Sequence, residues 1–508
     1  TVYTPLFSGV FWEAQDLVME DIDRIEVISG PGATLWGANA VNGVINIITL
    51  SARRTEGLLA KALGGDEDRG AVLRHGAALA GGGALRGYVK YIERDGARSE
   101  AGADLGDDST RLHGGFRGDW GTESSGLTLQ GDAYRGEVDR GPMRRYSGAN
   151  LLGRWRHQLA DGSRVRVPAY YDRTDRRHAD TFDEDLDTLD IEAQHALAPW
   201  AGHRMVWGGG YRHSRDRVEN SAAQAFIPAE KSMQWTNLFV QDVVAVAPRL
   251  SLTLGLKAER NPYTGVEYLP NVRLAWQATG EALVWAALSR AVRAPSRLDR
   301  EFFFPGNPPF TVVGSTRFDS EVARVAELGY RAQVSNALSV SATLYHHDYP
   351  NLRSLGPTDA GPAFLNDIEG RTTGLEAWGS YRVTPAWRLS GGFVAQDIER
   401  RVKPGAVDLG SLGSLGTDPK RKVLLRSIWD VTARHEFDLA LRHIGRLPEP
   451  AVPAYTVVDA RLAWRPSRAV ELSLRVQNLL DRRHAEWGVA PNRAQFDRTY
   501  FVKLVWTP

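Results

Sequence analysis

The chain has no cysteine in 508 residues, so it carries neither a disulfide framework nor a thiolate metal site. It also has almost no net charge. Lys and Arg number 62 against 61 Asp and Glu, giving +1, and no basic excess points to a nucleic-acid partner. Long apolar runs are missing too: mean hydropathy is −0.33, and no stretch approaches the ~18–20 residues a membrane helix needs. A helical membrane protein is excluded, but a membrane barrel is not, because its strands alternate apolar and polar residues and average out as unremarkable. The opening residues Thr1-Val2-Tyr3-Thr4-Pro5 show no Met and no basic region leading into an apolar one, so no export signal is visible. The chain is expected to be a fragment of a longer precursor.

Glycine is abundant instead, at 51 residues against a usual share of about 7 %, and Trp (15), Tyr (16) and Phe (16) are plentiful. From about residue 57 onward, apolar and polar residues alternate with period two, and turns or polar loops intervene. Val470, Leu472, Leu474 and Val476 share one side against Glu471, Ser473, Arg475 and Gln477. Leu250, Leu252, Leu254 and Leu256, and then Leu338, Val340, Ala342 and Leu344, repeat the arrangement. At 180° per residue these make one clean face, whereas at 100° they would scatter around a helix. They are strands.

About ten short connections carry turn chemistry, among them Gly81-Gly82-Gly83, Asp161-Gly162-Ser163, Thr279-Gly280-Glu281 and Thr384-Pro385. Between them lie longer polar stretches, at 94–109, 135–148, 173–187, 294–321, 349–370 and 398–420. Ten turns separating paired strands give about 22 strands, with short turns at one rim and long loops at the other. Roughly 20 residues per strand and connection suit a strand of ~9–11 residues crossing a bilayer at a tilt. A soluble propeller or sandwich array would also alternate. Two features favour the membrane: strongly hydrophilic partners strand after strand, and aromatics near strand ends, as in interfacial girdles. Those aromatics are Trp155, Tyr170, Tyr171, Trp207, Trp235, Trp276, Trp285, Tyr345, Trp387, Trp464 and Trp506. The fold class expected is an all-β membrane protein, an antiparallel transmembrane β-barrel.

Residues 1–50 read differently. A short strand, Ile22 to Ile28, leads into Ser29-Gly30-Pro31-Gly32-Ala33-Thr34-Leu35-Trp36-Gly37-Ala38-Asn39-Ala40-Val41-Asn42-Gly43, and a second strand runs from Val44 to Thr49. The glycines permit positive φ and close backbone approach. A nucleotide loop does not fit, because Gly30-x-Gly32 lacks the third glycine of the dinucleotide fingerprint and no Gly-Lys-Ser/Thr follows. The string from Asp21 to Thr49 resembles the C-terminal part of the plug domain of TonB-dependent outer-membrane receptors, with Gly30, Pro31, Gly32, Gly37 and Gly43 forming the plug signature turn. Leu474 to Asp481 and Arg498 to Val502 resemble the family's last two strands. Glu327-Leu328-Gly329-Tyr330-Arg331 and Arg293-Ala294-Pro295-Ser296 resemble frequent barrel segments.

The resemblance implies a plug remnant over 1–56 inside a barrel over 57–508. It also implies an outer-membrane location and import of a scarce metal chelate. A ferric siderophore is the expected ligand, with cobalamin and haem as competitors. Implied partners are the inner-membrane energy-transducing protein TonB, the barrel-assembly machinery, and outer-membrane lipid and lipopolysaccharide. No intrinsic cofactor is expected, and an iron chelate would be cargo. Three departures stand out: the N-terminal half of the plug and its coupling box are absent, Ser29 replaces a frequent Arg, and the chain ends Trp506-Thr507-Pro508 rather than on an aromatic residue.

A lumen this wide passes solutes freely unless it is filled, so the plug must be held by polar contacts to a hydrated wall. Arg24 and Glu26 are the plug candidates for these contacts, with Glu327 and Glu376 as wall partners. Ligand contact is expected from outward plug loops: Tyr3, Thr4, Phe7, Ser8, Phe11 and Trp12, and then Trp36 and Asn39. Four aromatics outside regular structure either pack on the wall or offer a ligand a stacking surface. His346-His347-Asp348 has metal-binding chemistry, but adjacent strand residues face opposite ways. The acidic cluster Asp180, Asp183, Glu184, Asp185, Asp187 and Asp190 reads as a solvated loop or a calcium site. Arg140, Arg144, Arg145, Arg173, Arg176 and Arg177 suit an anionic chelate or lipopolysaccharide phosphates. No Gly-x-Ser-x-Gly elbow and no His-Glu-x-x-His is present, so an enzyme is not expected. A passive porin or a ligand-sensing receptor without import remains as a rival reading.

Overall fold

The computed structural model describes residues 2–139, 143–179, 181–415 and 418–508. From Gly57 to Trp506 the wall consists of 22 antiparallel strands and closes where Gly57–Gly65 pairs with Thr499–Trp506, Ala60 lying opposite Trp506. Closure removes the sheet edges that a bilayer would leave without hydrogen-bond partners.

The period-two pattern fixes which side chains meet lipid. On Val470–Gln477, Leu472 and Leu474 are exposed on the outside, while Glu471 turns inward to Arg461 at 2.9 Å and Arg465 at 3.0 Å. On Arg164–His178 the outward row runs Val165, Val167, Ala169, Tyr171 and then Arg173, Asp175, Arg177. The change from apolar to charged after Tyr171 marks the outer limit of the hydrocarbon band. Beyond it the strands continue into water.

That continuation overturns part of the loop assignment. Residues 135–148, 173–187 and 349–370 are largely strand, in the hairpins Gly126–Val138/Arg144–Gln158, Arg164–His178/Phe182–Ala196 and Leu338–Thr358/Gly361–Thr384. Outside the bilayer neither strand face needs to be apolar, so the alternation that signals a strand vanishes while the ladder persists. Long connections do occur at 94–109 and 293–321, and also at 444–455 and 477–499. The girdle needs a similar correction. Trp155, Tyr171, Trp207, Trp276, Trp464 and Trp506 are exposed on the wall. Tyr170, Trp235, Trp285 and Tyr345 belong to the opposite alternation and face the lumen, where Trp285 lies 5.3 Å from the Arg273 guanidinium and Tyr345 donates to Gln396 at 3.0 Å.

Residues 2–56 lie inside the wall. They form a hairpin of β1 (Ile22–Ser29) and β2 (Gly43–Thr49), with Val27 opposite Ile45, and a single helical turn α1 (Ala33–Trp36) between the strands. The segment leaves at the rim of short turns, where the Ala52 amide donates to Asp119 at 2.8 Å.

Candidate functional site

The strongest ties between the inner segment and the wall come from residues 13–21, which sequence reasoning passed over. Asp21, buried, takes Arg74 at 2.6 Å and Arg86 at 3.3 Å. Glu20 takes Lys61 at 2.8 Å, Asp16 takes Lys90 at 2.5 Å, and Glu13 takes Arg176 at 2.7 Å. Burial raises the Glu20 carboxyl, but the Lys61 ammonium overrides it and leaves the group below its ordinary range. A usable signal was present: Asp16, Glu20 and Asp21 face Lys90, Lys61, Arg74 and Arg86 at inward positions of the first barrel strands.

The expected ties are placed differently. Arg24 pairs with Asp23 at 2.8 Å and Glu26 at 2.7 Å, all on the hairpin itself, so among the described residues neither Arg24 nor Glu26 makes an ion pair with the wall. An (i, i+2) spacing on one strand face brings the two together before either can reach across. Glu327 and Glu376 do meet the inner segment, at Ser29 and Gly30. The Ser29 hydroxyl donates to Glu376 at 3.4 Å, and the Glu327 carboxylate fills the space a Cβ on Gly30 would need.

The turn from Gly30 to Gly43 sits on the strands Leu250–Asn261 and Ala282–Arg293. Gly30 and Gly37 have φ of +77° and +81°. At Gly37 a Cβ would lie 2.6 Å from a Glu259 oxygen. Pro31 is buried, and Gly32 abuts Trp36 and Val44. Asn39 is a structural tie: its amide N–H donates to the Val292 carbonyl at 2.8 Å, and its side-chain oxygen accepts from the Ala294 N–H at 3.1 Å. Trp36 is about half exposed.

Residues 2–12 lie under the long 293–321 connection. Thr4 closes a tight loop by donating to Gly9 at 2.9 Å, and Pro5 and Leu6 carbonyls accept from Arg297 and Leu298. The Ser8 hydroxyl donates to the Ala294 carbonyl at 3.2 Å. Phe7 and Phe11 meet edge to face at 4.8 Å and pack around Leu6, Val218 and Phe226, so both are engaged by the wall. The Arg176 guanidinium lies 3.5 Å above the Phe11 ring. Tyr3 is partly exposed and Trp12 is 70 % exposed, so these two offer ring surface. The overlying helix α2 (Arg297–Glu301) opens with a capping box between Ser296 and Asp299. Arg297, fully buried, bonds Asp216 at 3.0 Å and Glu301 at 2.9 Å, while Arg293 and Arg353 converge on Asp299 at 2.9 and 3.4 Å. Burial pushes the Glu184 carboxyl up, the nearby Asp216 carboxylate adds to it, and Arg176 and Arg297 pull the other way.

The remaining clusters resolve into pairs. His347 faces inward, bonding Tyr349 at 2.9 Å, whereas His346 bonds Thr373 at 2.8 Å and Asp348 lies between Arg324 and Arg371. Among the described residues no group of three His, Cys, Asp or Glu is arranged to hold a metal. The acidic and basic clusters are each other's partners across one hairpin: Arg177 meets Asp175, Asp183 and Asp185 at 2.6–3.7 Å, and Arg173 meets Asp187 at 3.8 Å. Asp190 takes Arg212 at 2.8 Å, and Arg145 takes Glu137 at 3.1 Å. Asp180 and Arg140 lie outside the described residues.

Comparison with known proteins agrees with this architecture. Residues 48–479 match the family model described as TonB dependent receptor-like, beta-barrel. The chain is 23 % identical over 530 residues to the iron-regulated outer membrane virulence protein of Vibrio cholerae, covering 92 % of this chain and 78 % of that one. It is also 23 % identical over 500 residues to a vitamin B12 transporter of Photobacterium profundum, covering 91 % and 76 %. The siderophore receptor PirA of Acinetobacter baumannii superimposes with a TM-score of 0.82 at 14 % identity, over 96 % of this chain and 85 % of that one. The closed wall, the glycine-rich turn seated against it and the family match over most of the chain lead to one conclusion: the protein belongs to the TonB-dependent receptors of the bacterial outer membrane.

Proposed function

We propose that this receptor binds a ferric siderophore on the outer side of its inner segment and imports it with energy delivered by TonB. In this reading residues 1–56 act as the C-terminal remnant of the plug, and 57–508 as the barrel. The observation that carries it is the filled lumen: a wall of 22 strands that would otherwise be an open channel holds residues 2–56 by buried and half-buried ion pairs, as an energy-gated importer requires and a passive porin does not. The iron-regulated relative supports iron as the cargo, and the vitamin B12 relative keeps cobalamin as the competitor. Tyr3 and Trp12 are the ring surfaces proposed to meet ligand, while Phe7 and Phe11 hold the loop against the wall.

Growth of a deletion strain on a panel of ferric catecholate and hydroxamate siderophores, haem and cyanocobalamin, with and without functional TonB, tests this directly. TonB-dependent growth on a ferric siderophore is expected; growth on cobalamin alone reassigns the ligand, and TonB-independent growth overturns active import. Trp12→Ala should weaken siderophore binding about tenfold, the loss of one stacking contact of about 1–1.5 kcal/mol, while leaving membrane insertion intact. Unchanged affinity would remove this loop from the site.

A further inference from the structure

Near its inner rim the lumen carries a group of arginines that the inner segment does not use. Arg154 and Arg156 lie on Arg144–Gln158, and Arg164 and Arg166 on Arg164–His178. All four take the inward alternation, away from the exposed Trp155. Arg156 stands directly across from Arg166 in the ladder, where like charges repel. Among the described residues none of the four makes an ion pair or a side-chain hydrogen bond. The Nε groups of Arg154 and Arg156 are buried without an acceptor, a cost that an incoming acceptor would remove. Arg164 and Arg166 are exposed to the lumen.

The carboxylates around them are committed or few. Asp119 takes Arg117 at 2.8 Å, and Asp190 takes Arg212 at 2.8 Å. Glu123 and Asp161 sit in exposed short turns, where Asp161 accepts the Ser163 N–H at 2.9 Å. Glu192 makes no ion pair among the described residues and stands two positions from Gln194, which faces Arg166. Four guanidinium groups are therefore left with one uncommitted carboxylate. The inner segment places its ion pairs elsewhere on the wall, at Lys61, Arg74, Arg86, Lys90 and Arg176. Arg166 lies on the same strand as the Arg176 that covers Phe11, roughly 33 Å farther in at ~3.3 Å per residue. Guanidinium groups grip oxygen anions in a bidentate way, and a cleft of one charge sign concentrates its counter-ions.

We propose that Arg154, Arg156, Arg164 and Arg166 form a second, inner binding station for an anionic metal chelate, whose carboxylate or catecholate oxygens they hold on its way to the inner rim. The inference rests on the import reading above and narrows its ligand class to chelates of net negative charge. The test uses two probes, a trianionic ferric tris-catecholate and an uncharged ferric tris-hydroxamate, with wild type and R154Q/R156Q/R166Q. In cells, uptake of the trianion should fall about tenfold in the variant, as expected for lost charged hydrogen bonds. Its binding to cells lacking TonB should stay at the wild-type level, because the outer site is untouched. Wild-type uptake of the hydroxamate alone, equal loss of uptake for both chelates, or unchanged uptake of the trianion would each overturn the station. If wild type takes up neither chelate, the import reading fails by itself, and equilibrium binding of the trianion to the purified receptor decides the station. Binding weakened by loss of the arginines supports it there, and unchanged binding overturns it. If the triple variant fails to give the heat-modifiable folded band, R166Q alone carries both measurements under the same criteria.

Discussion

Residues 13–21 and the hairpin at 22–49 share one lumen but are held in different ways. The first stretch gives its carboxylates to the wall, through Asp21, Glu20, Asp16 and Glu13. The hairpin keeps its ions within the inner segment, Arg24 with Asp23 and Glu26, Asp23 also with Arg54 at 2.7 Å, and Glu26 with Asn46 at 3.0 Å. It meets the wall mainly through backbone at its turn, where Gly30 abuts Glu327 and Asn39 bonds Val292 and Ala294. Displacing 13–21 means separating buried charges, whereas displacing the hairpin means breaking hydrogen bonds and close packing. The difference teaches that one part of the inner segment is an anchor and the other a seated, removable element.

The contrast is sharpest at Asp21. Asp21→Asn leaves Arg74 and Arg86 buried opposite a neutral amide, and stranding a buried charge costs about 3–5 kcal/mol. Hydrogen–deuterium exchange over residues 13–23 should accelerate by orders of magnitude, while Arg24→Ala, on an exposed pair, leaves hairpin exchange unchanged. Equal responses to the two changes would erase the distinction. At Gly30 the added methyl of Gly30→Ala must fit at φ +77° against the Glu327 carboxylate, which costs about 1–3 kcal/mol. Exchange should rise over 29–43 and stay slow over 13–21; acceleration of both would mean that they open as one unit.

The smallest effect concerns Glu184, beneath the Arg176 that holds Glu13. Its carboxyl titrates above the ordinary value of 4.5 because of burial, then Asp216. The unfolded chain therefore ionises first as pH rises, and stability falls from about pH 4.5 up to the folded titration, by at most about 1.4 kcal/mol per pH unit. Glu184→Gln removes that penalty. Calorimetry in detergent should find the variant equal to wild type near pH 4 and more stable at neutral pH, by a margin that grows between the two; a constant difference would place the effect elsewhere.

Much of the fold was legible in the residues because lipid imposes a rule on them. Wherever a strand crosses the hydrocarbon, every second side chain must be apolar, so Leu250 to Leu256 and Val470 to Val476 declared their state and face. Where the hairpins rise above the bilayer that rule lapses, and Arg173 to His178 or Tyr349 to Thr358 looked like loop although the ladder continues through them. The candidate site was less legible. Phe7, Phe11, Arg24 and Glu26 are residue types that suit a ligand surface or an ion pair, but what each touches depends on how far the wall stands from it. The acids of residues 13–21 were plain to see, yet their partners lie 41 to 163 positions away.

The sequence by itself determined strands with one apolar, lipid-facing side and a glycine-rich turn between two short strands, because the period of apolar residues and the positions that need positive φ are local properties of the chain. Only the tertiary structure decided which carboxylates anchor the inner segment and that the arginines and aspartates of one hairpin neutralise each other. Each of those is a matter of register between strands distant in sequence, and Coulomb energy depends on the separation in space that register sets.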